Sequence, residues 1–298
     1  MSKLLITTGC SFTNFGPTWA DQVNRSLRRK WDEEDVKKVS KQSREDGSFH
    51  KTEESENFIW NQRARKGSSN DVILGDIYHM ELDEKTPTAI LIQLTGLERI
   101  ARDGMGQSPT LRSMYESLKF NWLGMPNEDE VSVEWEEYFK NEYTPESHLM
   151  RLFGNIIGLQ ERFEKMPNVD YKIFLGWDIF TAKSADGSSM WDLEKPYTNW
   201  DNKLLVEEYL EPDPDTGLAP QAGWGSIDFE KFLFAEVEGR VKFGGMMQWI
   251  QHALPPQHWY REPEKQDYHP SEHAHEEFGE QIMVPVVEKM FAGLEGSG

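Results

Sequence analysis

The chain has 298 residues and a formal net charge of −20, and a body this acidic repels phosphate backbones, so we expect no nucleic-acid partner. No run of about 18 apolar residues occurs, which argues against a transmembrane helix and predicts no membrane partner. The only cysteine, Cys10, permits no internal disulfide and agrees with a reducing compartment, while the length favours one domain over two.

The first predicted element is a buried strand over residues 4–8 that stops at Gly9. A short apolar, β-branched run ended by glycine is typical of a strand. Ser11 follows two residues later, and in an open α/β sheet the end of such a strand faces the ligand crevice. The run is too short for a secretion signal, and cleavage would remove the strand. We therefore predict a cytoplasmic location.

A helix and a polar excursion follow this strand. Trp19, Val23 and Leu27 recur at helical spacing and predict an amphipathic helix. Residues 31–56 are dense in charge of both signs and hold few apolar anchors. This composition predicts a surface insertion that is part helix and part disordered.

Strand and helix signals then alternate. Residues 58–60 predict a short strand, and the Ser/Asn/Asp cluster after Gly67 is a helix N-cap signal. The helix should cover about Asn70 to Leu82. Residues 86–95 contain a third buried strand, Ala-Ile-Leu-Ile-Gln-Leu-Thr, which ends at Thr95.

The second half of the chain continues this alternation. Proline at the first helical position after an N-cap threonine predicts a helix from Pro145 to about Lys165. Residues 171–177 predict a fourth strand, and residues 246–250 predict a fifth. The last helix should start near Ser271, and Pro285 should kink it or end it early.

Together these signals predict an α/β fold with a parallel sheet of about five strands and helices on both faces. We expect a single domain over residues 1–298 with long insertions at about 31–56, 101–143 and 183–225.

The segment Asp267-Tyr268-His269 precedes the last helix and admits three interpretations. Asp267 and His269 can supply an orienting carboxylate and a general base for a distant nucleophile, Ser11. They can instead ligate a metal with His273 and His275, although His-x-His on a helix places the two rings roughly 200° apart. The segment can also simply cap the helix. The Ser11 block favours the first interpretation, with no metal and no cofactor.

The blocks Gly9-Cys-Ser11-Phe-Thr13 and Asp267-x-His269-Pro-Ser271 resemble those of the SGNH (GDSL-type) hydrolase family, in the style of SGNH-like proteins of large tailed phages. The resemblance implies a three-layer flavodoxin-like fold and a serine esterase with Ser11, His269 and Asp267 as its triad. It implies an oxyanion hole formed by Ser11, Gly67 and Thr95, with Asn70 and Arg99 in supporting roles. The family usually has an asparagine where this chain has Thr95.

For the substrate we predict a small acyl ester, with an O-acetyl group on a neutral glycan as the candidate. Six tryptophans fall in or beside the stretches after the third and fourth strands, where loops shape the pocket: Trp122, Trp135, Trp177, Trp191, Trp200 and Trp224. These rings can stack on sugars or merely pack the insertions. The alternative function is a weakly active or inactive SGNH-like scaffold that serves as a binding or virion-structural module, virion-associated if the chain is phage-encoded. The oligomeric state stays open.

Overall fold

The computed structural model describes residues 2–10, 13, 17–31, 33, 35–43, 48–65, 68–96, 101–102, 106–107, 141–142, 145–179, 226–237, 241–263 and 267–296. In chain order the described strands are β1 (Lys3–Gly9), β2 (Lys38–Ser43), β3 (Ser48–Glu54), β4 (Phe58–Arg65), β5 (Thr88–Leu94), β6 (Ala101–Arg102), β7 (Gly106–Gln107), β8 (Val169–Leu175), β9 (Phe232–Leu233), β10 (Ala235–Val237), β11 (Val241–Gly244), β12 (Tyr260–Glu262) and β13 (Asp267–Pro270). The described helices of more than one turn are α1 (Trp19–Lys30), α2 (Asn70–Tyr78), α3 (Pro145–Phe163), α4 (Met246–Ala253), α5 (Glu272–Phe278) and α6 (Val284–Gly296).

A seven-stranded, mostly parallel sheet forms the centre of the protein, in the order β2-β3-β4-β1-β5-β8-β9. Neighbours are parallel along the sheet through five strands, in the order β4, β1, β5, β8 and β9. Strands β2 and β3 extend one edge as antiparallel strands. Counted along the chain, the parallel strands follow the order 2-1-3-4-5. The predicted α/β class with a parallel sheet is therefore confirmed.

The first strand lies inside the sheet because it is apolar on both faces. Leu5 and Ile6 are fully buried, as expected for a parallel strand that is covered on either side. The buried Thr7 hydroxyl of β1 has a partner, since Trp60 Nε1 donates to Thr7 Oγ1 at 3.1 Å. Because β1 lies between β4 and β5, the chain segment after Gly9 begins in the middle of the carboxyl edge of the sheet.

Helices contact both faces of β8. Successive side chains of a strand point to opposite faces, so Tyr171 and Phe174 lie on different sides of the sheet. Phe163 of α3 packs on Tyr171, with ring centroids 5.1 Å apart. Trp19 of α1 and Phe278 of α5 pack on Phe174 at 5.0 and 5.8 Å. The first and last helices therefore share one face and α3 covers the other.

The helix and disorder predicted within 31–56 are wrong for Lys38–Ser43 and Ser48–Glu54, which form β2 and β3. That 31–56 is an insertion stays a prediction. The many charged residues did not suggest strands. Strands at the edge of a sheet are exposed to water and therefore carry charged side chains. Lys51 of β3 forms an ion pair with Asp21 of α1, with Nζ 3.4 Å from the carboxylate, and so connects β3 to the helix. Lys51 Nζ also lies 2.7 Å from Glu53 of the same strand.

The prediction of a strand at residues 246–250 is also wrong, because these residues begin α4. The five-residue apolar window was too short to separate helical from strand periodicity. Gln248 Oε1 accepts from Gly245 N–H at 2.9 Å and from Asp178 N–H at 3.0 Å, which stabilises the helix start. The fifth parallel strand is instead the short β9.

Helix α2 ends at Tyr78, four residues before the predicted end at Leu82. The Arg162 guanidinium of α3 donates to the carbonyl groups of Ile77, Tyr78 and Met80. A cation that binds the last carbonyl groups of a helix also opposes the negative end of its dipole. A residue 84 positions further along the chain than Tyr78 therefore contributes to the end of α2.

The last helix begins as predicted, with Ser271 Oγ accepting from Ala274 N–H at 3.0 Å. Pro285 does not end it, because a π-helical turn at Gly279–Met283 precedes the proline and the helix continues as α6. The π turn inserts an extra residue and shifts the buried face. Met283, Val284 and Val287 are accordingly buried in the core.

The predicted insertion at 183–225 lies outside the described residues, as does most of 101–143. Within the part of the chain that the structure describes, no helix combines the length and the apolar character needed to cross a membrane.

Candidate functional site

The carboxyl ends of β1 and β5 lie side by side in the middle of the sheet. The two strands are parallel neighbours, with Thr8 opposite Ile92. Because β4 lies on the other side of β1, the direction of strand addition reverses between β1 and β5. Ligands of open α/β sheets bind outside the carboxyl ends of the strands at such a reversal. We take this edge, which Ser11 and Thr95 follow in sequence, as the candidate site.

The residues on either side of Ser11 are held by hydrogen bonds. Thr13 N–H donates to Cys10 C=O at 3.0 Å. Thr13 Oγ1 donates to Gln93 Oε1 at 2.8 Å, and Gln62 Nε2 donates to Thr13 C=O at 2.5 Å. Ser11 itself lies outside the described residues, so its role as nucleophile stays a prediction.

Gly9, the last residue of β1, has no room for a side chain. A Cβ at this position would lie 2.4 Å from Thr13 Oγ1 and 2.8 Å from Gln93 Cβ. The nearest strand atoms belong to the Gln93 side chain, which crosses the space where the Gly9 side chain would be. Glycine at this position is therefore required by the close approach of Gln93 and Thr13.

Thr95 follows β5, and its backbone is held by Asn70, the first residue of α2. Thr95 N–H donates to Asn70 Oδ1 at 2.8 Å, and Asn70 Nδ2 donates to Thr95 C=O at 3.0 Å. Thr95 is fully buried, and among the described residues its Oγ1 has no hydrogen-bond partner. One predicted supporting residue thus contacts one predicted oxyanion donor, and a buried hydroxyl group at this edge is left unpaired.

Asn70→Ala is expected to lower the free energy of unfolding by about 2–4 kcal/mol, because it leaves a buried N–H and a buried C=O of Thr95 without partners. Urea denaturation at neutral pH measures this change. Asn57→Ala is the matched control, since Asn57 is exposed and its Nδ2 donates to the carboxylate of Glu33. Equal losses for the two variants would contradict a specific role for the Asn70–Thr95 pair.

The segment that carries His269 is attached to the start of α1. Strand β13 pairs with β12, and the His269 side chain is half-buried. Six residues later, His275 Nδ1 accepts a hydrogen bond from Trp19 N–H at 3.3 Å. Trp19 begins the helix that follows β1, so the start of α5 lies near the carboxyl edge of the sheet. Asp267 belongs to β13, but its side chain is outside the described residues.

His275 is a core residue with only 3% of its surface exposed. Burial, together with the nearby Arg261 and His269, lowers the pKa of His275 to about 3. His273 instead makes a ring contact with His258, with centroids 4.5 Å apart. The described residues include no group of three or more His, Cys, Asp or Glu side chains that could hold a metal ion. The metal interpretation also needs the Asp267 side chain, which they do not include.

Two further predicted site residues, Gly67 and Arg99, also lie outside the described residues. Sequence reasoning missed Gln62 and Gln93, which the structure brings to the same edge. A signal was available for Gln93, the one amide in a strand, β5, that is otherwise buried. Gln62 lay beyond the predicted strand at 58–60, in a stretch of polar residues, and carried no such signal. A buried amide needs hydrogen-bond partners, and here the partner is Thr13.

Comparisons of the chain with protein-family models, with curated proteins and with solved structures found no match in any of the three. The resemblance carried by the two sequence blocks therefore stays a prediction. The function has to be argued from the residues at the sheet edge.

Proposed function

We propose that the chain is a serine hydrolase of the SGNH type that cleaves small acyl esters, with Ser11, His269 and Asp267 as its triad. The observation that carries the proposal is the hydrogen bond from Trp19 N–H to His275 Nδ1. It joins the helix that follows the Ser11 block to the helix that follows the Asp267–His269 block. Two segments more than 250 residues apart in sequence thereby meet at one region of the fold.

The strand order supports the same proposal. The order 2-1-3-4-5 is that of doubly wound flavodoxin-like sheets, whose ligand crevice lies where the first and third strands meet. With helices in contact with both faces of β8, this order favours the three-layer flavodoxin-like arrangement. In such a sheet a nucleophile two residues beyond β1 is well situated for catalysis.

The proposed reaction is a two-step acyl transfer. Ser11 Oγ attacks the ester carbonyl while His269 takes its proton, and the imidazolium then protonates the departing alcohol. Backbone N–H groups of Ser11 and Gly67 and the Thr95 hydroxyl stabilise the oxyanion. Water, deprotonated by His269, then releases the acid and restores Ser11. Among the described residues Thr95 Oγ1 has no hydrogen-bond partner, so its O–H group can act as a donor in this scheme.

A neutral acylated glycan is the proposed substrate class. The net charge of −20 disfavours polyanionic glycans. Of the six tryptophans that suggested stacking on sugars, Trp177 is described, and it is half-buried just after β8. The other five lie outside the described residues.

The alternative is an SGNH-like scaffold that binds a ligand or serves in a virion without hydrolysis. One observation favours it: Thr95 is fully buried, so a substrate reaches its hydroxyl only if neighbouring chain moves. An oxyanion donor that stays covered would leave the reaction without one of its three stabilising groups.

Fluorophosphonate labelling of the native protein separates these alternatives. The reagent forms a covalent bond with an activated serine, so we expect one adduct, mapped by peptide mass spectrometry to Ser11. Heat-denatured protein is the control for unspecific reaction. Absence of an adduct from the native protein at high reagent concentration would remove the hydrolase proposal and leave the scaffold.

A further inference from the structure

We infer that Gln93, together with Gln62, is a positioning residue that sets the geometry of the chain around Ser11. The inference rests on the proposed function and adds to it two residues on the strands that flank β1. Neither glutamine need touch the substrate, since both act through Thr13.

Gln93 contacts both Cys10 and Thr13, the two residues on either side of Ser11 that are joined by a backbone hydrogen bond. Its Oε1 accepts from Thr13 Oγ1 at 2.8 Å and lies 3.7 Å from Cys10 Sγ, which also donates to it. Its Nε2 is directed at Met246 Sδ, 3.9 Å away, at the start of α4. Gln93 is fully buried. The amide therefore links the segment after β1 to β5 and to the start of α4.

Gln62 completes the arrangement from the opposite side. It lies on β4, is 2% exposed, and donates from Nε2 to Thr13 C=O at 2.5 Å. Thr13 is thus held at its hydroxyl by one neighbouring strand and at its carbonyl by the other. With Thr13 N–H bonded to Cys10, every polar group of Thr13 has a partner.

Burying the polar Gln93 amide is less favourable than burying an apolar side chain at the same place. Buried amides are tolerated only when they are hydrogen-bonded, and Gln93 also excludes any side chain from position 9. A methionine at position 93 would fill a similar volume with no polar group to satisfy. A purely structural role therefore predicts that Gln93→Met lowers the free energy of unfolding, because the buried Thr13 hydroxyl loses its acceptor, and that it leaves the reactivity of Ser11 unchanged. A positioning role predicts in addition a loss of reactivity at Ser11.

The test is the rate of fluorophosphonate labelling, split into the maximal rate and the reagent concentration that gives half of it. Gln93→Met is expected to lower the maximal rate about 10–100-fold and to leave the half-saturating concentration within about twofold, because a misplaced nucleophile reacts slowly once the reagent is bound. Thr13→Val, which removes the hydroxyl and keeps the shape, should give a similar loss. The double variant, Thr13→Val with Gln93→Met, should label no more slowly than the slower of the two single variants. Both substitutions remove the same hydrogen bond, the one from Thr13 Oγ1 to Gln93 Oε1.

Gln160→Met is the matched control. Gln160 is also a buried glutamine, but it bonds the backbone at Ser226 and Asp228, far along the chain from the candidate site. It should label at the wild-type rate. Labelling of folded Gln93→Met and Thr13→Val at the wild-type rate would overturn the positioning role and leave the hydrolase intact. If Gln93→Met does not fold, Thr13→Val decides alone. A wild-type protein that is not labelled overturns both proposals.

Discussion

Ser11→Ala is expected to lower hydrolysis of short-chain p-nitrophenyl esters by about 10⁴-fold or more, to the background rate. Removing the nucleophile of a triad leaves only binding and oxyanion stabilisation. The thermal midpoint should stay within a few degrees of wild type, because the change removes a single hydroxyl group. Initial rates and a thermal melt of the same preparations measure both quantities.

The histidines provide the control for this result. His269→Ala should match Ser11→Ala, because it removes the proposed base. His273→Ala should retain most activity, since the His273 ring contacts His258 and has no part in the proposed chemistry. Equal losses at His269 and His273, together with inactivation by EDTA, would replace the triad with the metal interpretation. Full activity of Ser11→Ala would refute the enzyme as proposed.

Acidification should destabilise the protein through His275. The pKa of His275 is about 3 in the folded protein, against about 6.5 in the unfolded chain. Between these values the unfolded state binds a proton that the folded state does not, so the free energy of unfolding falls as pH drops. A single site of this kind contributes a loss of roughly 2–3 kcal/mol between about pH 7.5 and pH 4.5.

His275→Asn isolates this contribution. Asparagine cannot titrate, and its Oδ1 can accept from Trp19 N–H as His275 Nδ1 does. The variant should be less stable than wild type at about pH 7.5, and the gap should narrow by roughly 2 kcal/mol at about pH 4.5. Urea denaturation at both pH values provides the comparison, with His79→Asn on the surface as control. A gap of the same size at both pH values would contradict a neutral, buried His275.

Local signals were sufficient for the elements that are strongly patterned. Strands predicted at residues 4–8, 58–60, 86–95 and 171–177 and a helix start at Ser271 are all present, although β4 continues to Arg65 and β8 covers Val169–Leu175. Each combines an apolar run or a capping residue with a clear boundary, and such features act over a few neighbouring residues. By contrast, the five residues 246–250 were too few to show whether their hydrophobic pattern has the periodicity of a helix or of a strand.

The edges of elements depended on distant residues. Helix α2 ends where Arg162 binds its last carbonyl groups. Strand β3 pairs with β4, and β2 in turn pairs with β3. None of these partners is visible from the local sequence. The same holds for the π turn, where Gly279 lets the last helix approach α1 closely.

The sequence by itself determined the α/β class and the two blocks that carry the proposed chemistry, since these depend on residue type and spacing within short segments. Only the tertiary structure decided how the blocks are supported. Gln93 and Gln62 lie on different strands from Thr13, and their hydrogen bonds to it exist only once β4, β1 and β5 are adjacent. His275 is a buried hydrogen-bond acceptor because α1 packs over it, and burial cannot be read from a histidine-rich stretch alone.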